Sequence, residues 1–179
     1  VAMARASKLR VMISSRCDDV FPAGPAGRKL SDIRKELKQD IEAVEVFGSK
    51  VFEVWINEET PPQGGNWDSL EVCLNAVKDA DILIVLSNGN AGWAVDGSDG
   101  ICHVEMMTGL SQAPGKVRVI ELPNIPIAKS KDGKRNERFQ EYVKSKNRFR
   151  GASVSTETAL KARVKEAVYD ALIVLAQAG

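Results

Sequence analysis

Apolar residues recur along this chain in two rhythms, and their alternation predicts its elements. Asp81-Ile-Leu-Ile-Val-Leu-Ser-Asn88 is a continuous apolar run of strand length, the pattern of a parallel strand covered on both faces. Lys8-Leu-Arg-Val-Met-Ile-Ser15 predicts a first strand ending in a Ser14-Ser15-Arg16 turn, and Lys50-Val-Phe-Glu-Val-Trp-Ile56 a second. Between them, Pro22, Gly24, Pro25 and Gly27 mark a loop, and Leu30, Ile33, Leu37, Ile41 and Val44 fall on one face of an amphipathic helix. A polar loop through Pro61, Pro62, Gly64 and Gly65 precedes Asp68, which with Glu71 forms a capping box for a helix from Ser69 to about Lys78.

The run from Asp81 to Asn88 should be central, followed by a glycine- and asparagine-rich surface loop carrying Trp93, Asp96 and Asp99. A helix over Ile101–Leu110 follows, with Ile101, Val104 and Thr108 on one face and Glu105 at its margin. Pro114-Gly115 stops it. Lys116–Leu122 reads as a fourth strand nearer an edge, closed by Pro123. The basic stretch from Asn124 to Gly151 predicts a short helix around Glu137–Lys144, and Phe149–Val154 a short fifth strand. Ser155 or Thr156 then caps a last helix whose buried stripe is Leu160, Val164, Val168, Ala171 and Leu175.

Strand and helix alternating in this way imply an α/β domain with a doubly wound parallel sheet of four or five strands and helices on both faces. The simplest arrangement is flavodoxin-like, with strand order 2-1-3-4-5. Ligands then bind outside the carboxyl ends of strands 1 and 3, where the winding reverses. Ser14, Ser15 and Arg16 would face Ser87, Asn88 and the loop to Glu105 there.

Composition changes this picture little. At 179 residues, 44% hydrophobic and 27% charged, the chain suits a single domain over 8–179. A net charge of +1 supplies no general reason to expect nucleic acid or a membrane as partner. No long apolar segment or signal-peptide core is present, and three cysteines on a loop and two helices favour a reducing, cytoplasmic setting. Val1 and Ala2 ahead of Met3 suggest that residues 1–7 are a disordered or artificial leader. The ending at Gly179, just past a helical stretch, would suit a domain cut from the N-terminus of a larger protein.

His103 is the sole histidine and sits on a different side of its helix from Glu105, so neither a zinc site nor a Ser-His-Asp triad is expected. The glycines between Gly89 and Gly100 form neither a dinucleotide fingerprint nor a phosphate-binding loop.

The segments Arg10-Val-Met-Ile-Ser-Ser15, Asp79-Ala-Asp-Ile-Leu-Ile-Val-Leu86 and the helix with Cys102 and Glu105 resemble the TIR-like superfamily. They are most similar to the domain-of-unknown-function family 4062, found at the N-terminus of NACHT-type ATPases and other defence or signalling proteins. Nucleoside 2-deoxyribosyltransferases share the layout. TIR domains often carry their catalytic glutamate in a Trp-Cys-x-x-Glu pattern; Cys102 and Glu105 match it, and Ile101 stands where the tryptophan would be.

The resemblance implies cleavage of the N-glycosidic bond of NAD, as substrate rather than cofactor, or of a nucleoside, with Glu105 stabilising an oxocarbenium-like transition state. Asp96 and Asp99 would be candidate proton donors to a leaving base. Ser14, Ser15 and Arg16 would hold ribose or phosphate, and Trp93 or Trp55 would stack on a base. It further implies self-association and downstream domains such as a NACHT-type ATPase. The alternative is a non-catalytic TIR-like module for self-association or partner docking.

Overall fold

The computed structural model describes residues 8–59, 66–94 and 98–178. The leader 1–7, the loop from Pro61 to Gly65, the side chain of Asp68 and the candidate Asp96 lie outside the described residues. In chain order the elements are β1 (Leu9–Ser14), β2 (Val20–Phe21), β3 (Arg28–Lys29), α1 (Leu30–Glu42), β4 (Glu45–Val46), β5 (Ser49–Lys50), β6 (Phe52–Trp55), α2 (Asn66–Asp79), β7 (Ile82–Ser87), α3 (Ile101–Gln112), β8 (Val117–Glu121), α4 (Lys131–Lys146) and α5 (Glu157–Ala178).

Four strands make one parallel sheet in the order β6-β1-β7-β8. Val11 of β1 pairs with Val54 on one side and Ile82 on the other. Every side chain of β7 is buried, as expected of a strand with helices on both faces. Leu30, Ile33 and Leu37 of α1 pack with Leu160 and Val164 of α5 on one face of the sheet. Val77 of α2, Cys102 and Met106 of α3, and Phe139 and Val143 of α4 pack on the other. Each fully buried branched side chain contributes about 1.5–3 kcal/mol, so the two layers together supply the main cohesion of the domain. The architecture is thus α/β, a four-stranded parallel sheet flanked by helices, compatible with Rossmann- or flavodoxin-like folds.

The five-strand array does not form. Phe149–Val154 contributes an isolated parallel bridge, Phe149 to Val119, plus a bond from the Val154 NH to the Glu121 carbonyl, and covers the outer edge of β8 without becoming a strand. Helix α4 is longer than its apolar residues suggest, because Ser130 caps it through the Gly133 NH at 3.0 Å ahead of any apolar period. Val44 lies beyond the end of α1 and is half-exposed.

At the opposite edge of the sheet, α1 protects β6. Lys38 Nζ donates to the Val54 carbonyl at 2.7 Å, the Val54 NH donates to Glu42 Oε2 at 2.9 Å, and the two side chains pair with each other at 3.0 Å. Both outward backbone groups of Val54 are therefore occupied, and the strand cannot recruit another there.

Candidate functional site

The turn after β1 is built by α1. The first helical amides, of Leu30 and Ser31, donate to the carbonyls of Asp19 and Cys17 at 2.9 and 3.0 Å, which satisfies orphan helix donors and pins this turn. From the same helix Arg34 reaches under it, donating to the carbonyls of Ile13 at 3.1 Å and Ser15 at 3.5 Å and to Cys17 Sγ at 3.0 Å. Arg34 is only 2% exposed and forms an ion pair with Glu58, in the turn that follows β6.

On the other face, α3 brings Glu105 to the carboxyl end of β1, where the Ser14 hydroxyl donates to its Oε2. Glu105 is 5% exposed, so the expectation that it sits at the helix margin is corrected. The buried side of α3 is Cys102, His103, Glu105, Met106 and Gly109, whereas Ile101, Val104 and Thr108 are only partly covered. Burial raises the Glu105 pKa above its ordinary value, opposed by the Ser14 hydroxyl and the positive charges of Arg34 and Arg16. The nearby Cys73 thiol is pushed up to about 12, by its own burial first and the Glu105 charge second.

Glu105 opens onto a cavity of about 210 Å³ that Ser15, Arg16, Cys17, Arg34, Trp55 and Trp93 also line. Cys73, Cys102 and Ile101 complete much of its wall. No group of three or more His, Cys, Asp or Glu residues among the described residues is arranged to hold a metal ion. A larger cavity, about 520 Å³, runs along the β6 edge past the Lys38–Glu42 pair and shares Met12 and Trp55 with the smaller one. Among the described residues, the buried Arg34 and Glu105 converge on the smaller cavity, which makes it the candidate site.

The loop from β7 to α3 closes one side. Its start is an asparagine network: Asn88 Nδ2 and Asn90 Nδ2 both donate to Asp19 Oδ2, at 2.7 and 2.9 Å, and the Ala91 NH donates to Asn136 Oδ1 of α4 at 2.9 Å. The loop then crosses the start of α3, where the Ile101 and Cys102 amides donate to the Trp93 and Ala91 carbonyls at 2.8 and 3.0 Å. Those donors are thereby unavailable to an anion. Two glycines permit the close passage: Gly92 has φ +84° beneath the Arg16 side chain, and a Cβ on Gly100 would stand 2.1 Å from the Ala91 carbonyl oxygen.

Several expected residues lie elsewhere. Asn88 is drawn to Asp19, and the cavity lies toward the ends of β1 and β6; none of Ser14, Ser87 and Asn88 lines it. Asp99 turns to α4, accepting from Arg138 Nε at 3.1 Å, and also lies 3.7 Å from His103 Nδ1. That position is not on the Glu105 cavity. His103 packs against Phe139 and Tyr142, on a different side of α3 from Glu105.

Arg34 and Glu58 were not singled out from the sequence. A signal existed for Arg34: it lies four residues after Leu30 and three before Leu37, within the apolar stripe of α1, where a cation must find partners. Among the described residues no helix is long and apolar enough to cross a membrane. Comparison with protein-family models, with curated proteins and with solved structures finds no match to this chain.

Proposed function

We propose that this chain is a TIR-like domain that cleaves the N-glycosidic bond of NAD or of a nucleoside, with Glu105 as the electrostatic stabiliser of the ribosyl cation. The supporting observation is that Glu105, buried and accepting from Ser14 at the carboxyl end of β1, lines a cavity together with two tryptophans and two arginines. As the bond to the base breaks, positive charge develops on the ribose ring, and a water molecule adds to the anomeric carbon and loses a proton to solvent; a buried carboxylate held by a hydroxyl opposes that charge without reorganising. Trp55 and Trp93 offer apolar faces to a base, and Arg16 a charged fork to phosphate or hydroxyl oxygens.

Typical sites for drug-sized ligands occupy roughly 300–1,000 Å³. At about 210 Å³ this cavity suits a base with its ribose, the rest of a dinucleotide extending outside. A nicotinamide leaves a cationic ring as a neutral molecule and needs no proton. With Asp99 engaged by Arg138, that leaving group is favoured over an unprotonated purine or pyrimidine.

One observation favours the non-catalytic alternative, a docking or self-association module. The β4–β5 hairpin projects Phe47, fully exposed and at φ +51°, beside half-exposed Val44 and Val46. Incubation with NAD and with nucleosides, followed by chromatography for free base, separates the two: base release dependent on Glu105 supports catalysis, and its absence at concentrations where the protein associates supports docking.

A further inference from the structure

At the end of the sheet opposite the Glu105 cavity, where β8 begins, several arginines gather around one turn. Arg118 NH1 donates to the Gly115 carbonyl at 2.6 Å and to the Val117 carbonyl at 3.1 Å, while Arg148 NH1 donates to the Pro114 carbonyl at 3.1 Å. Two guanidinium groups thus hold consecutive carbonyls of a single turn. Arg150 is tied alongside, its NH donating to the Val119 carbonyl at 2.9 Å.

Nearby charges are not equally answered. Arg150 pairs with Asp170 and Arg163 with Glu166, and Lys116 is enclosed by the Val77 and Ala80 carbonyls and the Gln112 side chain. Among the described residues no carboxylate pairs with Arg118 or Arg148. Arg118 is 9% exposed, and its Nε is buried without an acceptor. A guanidinium in this position is costly unless a counter-charge arrives. Burial, followed by the charges of Arg150 and Arg148, lowers the Arg118 pKa, the direction expected when cations crowd together. Gly115, Arg148 and Arg150 are exposed, so an anion approaching the turn meets Arg148 and Arg150 first, with Arg118 behind them.

We infer that Arg118 and Arg148, with Arg150 beside them, form a binding site for a phosphate group at the start of β8, separate from the Glu105 cavity. A tetrahedral oxyanion presents several acceptors to the planar forks of two arginines and supplies the charge that Arg118 lacks. Phosphoserine in a peptide and the phosphate of a nucleotide share this chemistry.

The test follows the arginine Nε–Hε signals of isotopically labelled protein by NMR during titration with inorganic phosphate, at constant ionic strength against chloride. A saturable shift of the Arg118 signal is expected with phosphate and not with chloride. Arg148→Ala, an exposed change that keeps Arg118 in place, should weaken the apparent affinity by about tenfold or more. Parallel titrations with phosphoserine and with AMP identify the source by whichever binds more tightly. No saturable shift of Arg118, an equal shift with chloride, or unchanged affinity in Arg148→Ala would each overturn the assignment.

Discussion

Ser14, the last residue of β1, donates its hydroxyl hydrogen to Glu105 of α3, which follows it by 91 residues, and both side chains are buried. A sheet end and a helix that meet only through folding therefore create a single polar unit. Removing the donor in Ser14→Ala withdraws an interaction that opposes the upward displacement of the Glu105 pKa, so that pKa should rise further. Under the proposed chemistry the acid limb of the pH–rate profile should move to higher pH than in the wild type. An unchanged limb would show that Ser14 does not tune the carboxylate.

Burial of Glu105 also predicts a pH dependence of stability. Its folded pKa lies above the ordinary value of 4.5, so between that value and the folded one the native state holds more proton than the unfolded chain. The stabilising contribution of the protonated form is complete below the unfolded pKa and is lost as pH rises through the folded pKa. Glu105→Gln removes this titration. Denaturant curves should show the variant gaining relative to wild type as pH rises above 4.5, and a gap independent of pH would contradict the burial effect.

His103 acts in the opposite direction. Burial lowers its pKa against the pull of Asp99, and Arg138 adds to the lowering; Phe139 and Tyr142 of α4 are its ring neighbours. Stability associated with the neutral ring is present above the unfolded pKa and is lost as pH falls through that range. His103→Phe should flatten the fall in melting temperature below about pH 6.5, the ordinary imidazole value, while leaving base release largely intact. A fall as steep as that of the wild type would assign the acid sensitivity elsewhere.

Arg34 should be among the costliest polar positions to change. Arg34→Met leaves Glu58 without its cation and the Ile13 and Ser15 carbonyls without their donor, for an expected loss of about 3–5 kcal/mol in urea denaturation. Changing Glu58→Met as well should recover part of the loss. A loss under about 1 kcal/mol for Arg34→Met would place the ion pair among surface pairs of little consequence.

The parts that could be read from the sequence are those whose signal is local. The apolar run of β7 and the stripe Leu30, Ile33, Leu37 and Ile41 announce a covered strand and an amphipathic helix without reference to anything distant. The two-residue strands of the β2–β3 and β4–β5 hairpins are too short to show a period. The first turn of α4 is Lys-Asp-Gly-Lys, with no apolar residue until Phe139, so its start is visible only through the Ser130 cap. Glu105, Ser15, Arg16, Trp55 and Trp93 could be gathered on one side of the sheet because each sits on or just past a recognisable element. Asn88 and Asp99 could not be placed, since each is turned by a partner far away in sequence, Asp19 and Arg138 respectively.

The most direct test of the proposed chemistry is the initial rate of base release from NAD and from nucleosides, measured for wild type and Glu105→Gln over a range of protein concentrations. Glutamine preserves the shape of the side chain and can still accept from Ser14, while removing the charge that opposes a ribosyl cation. The expected result is folded, normally associating protein whose rate is lower by about a hundredfold or more. Equal base release by the two proteins, or none by wild type at any concentration, would contradict a catalytic role for Glu105.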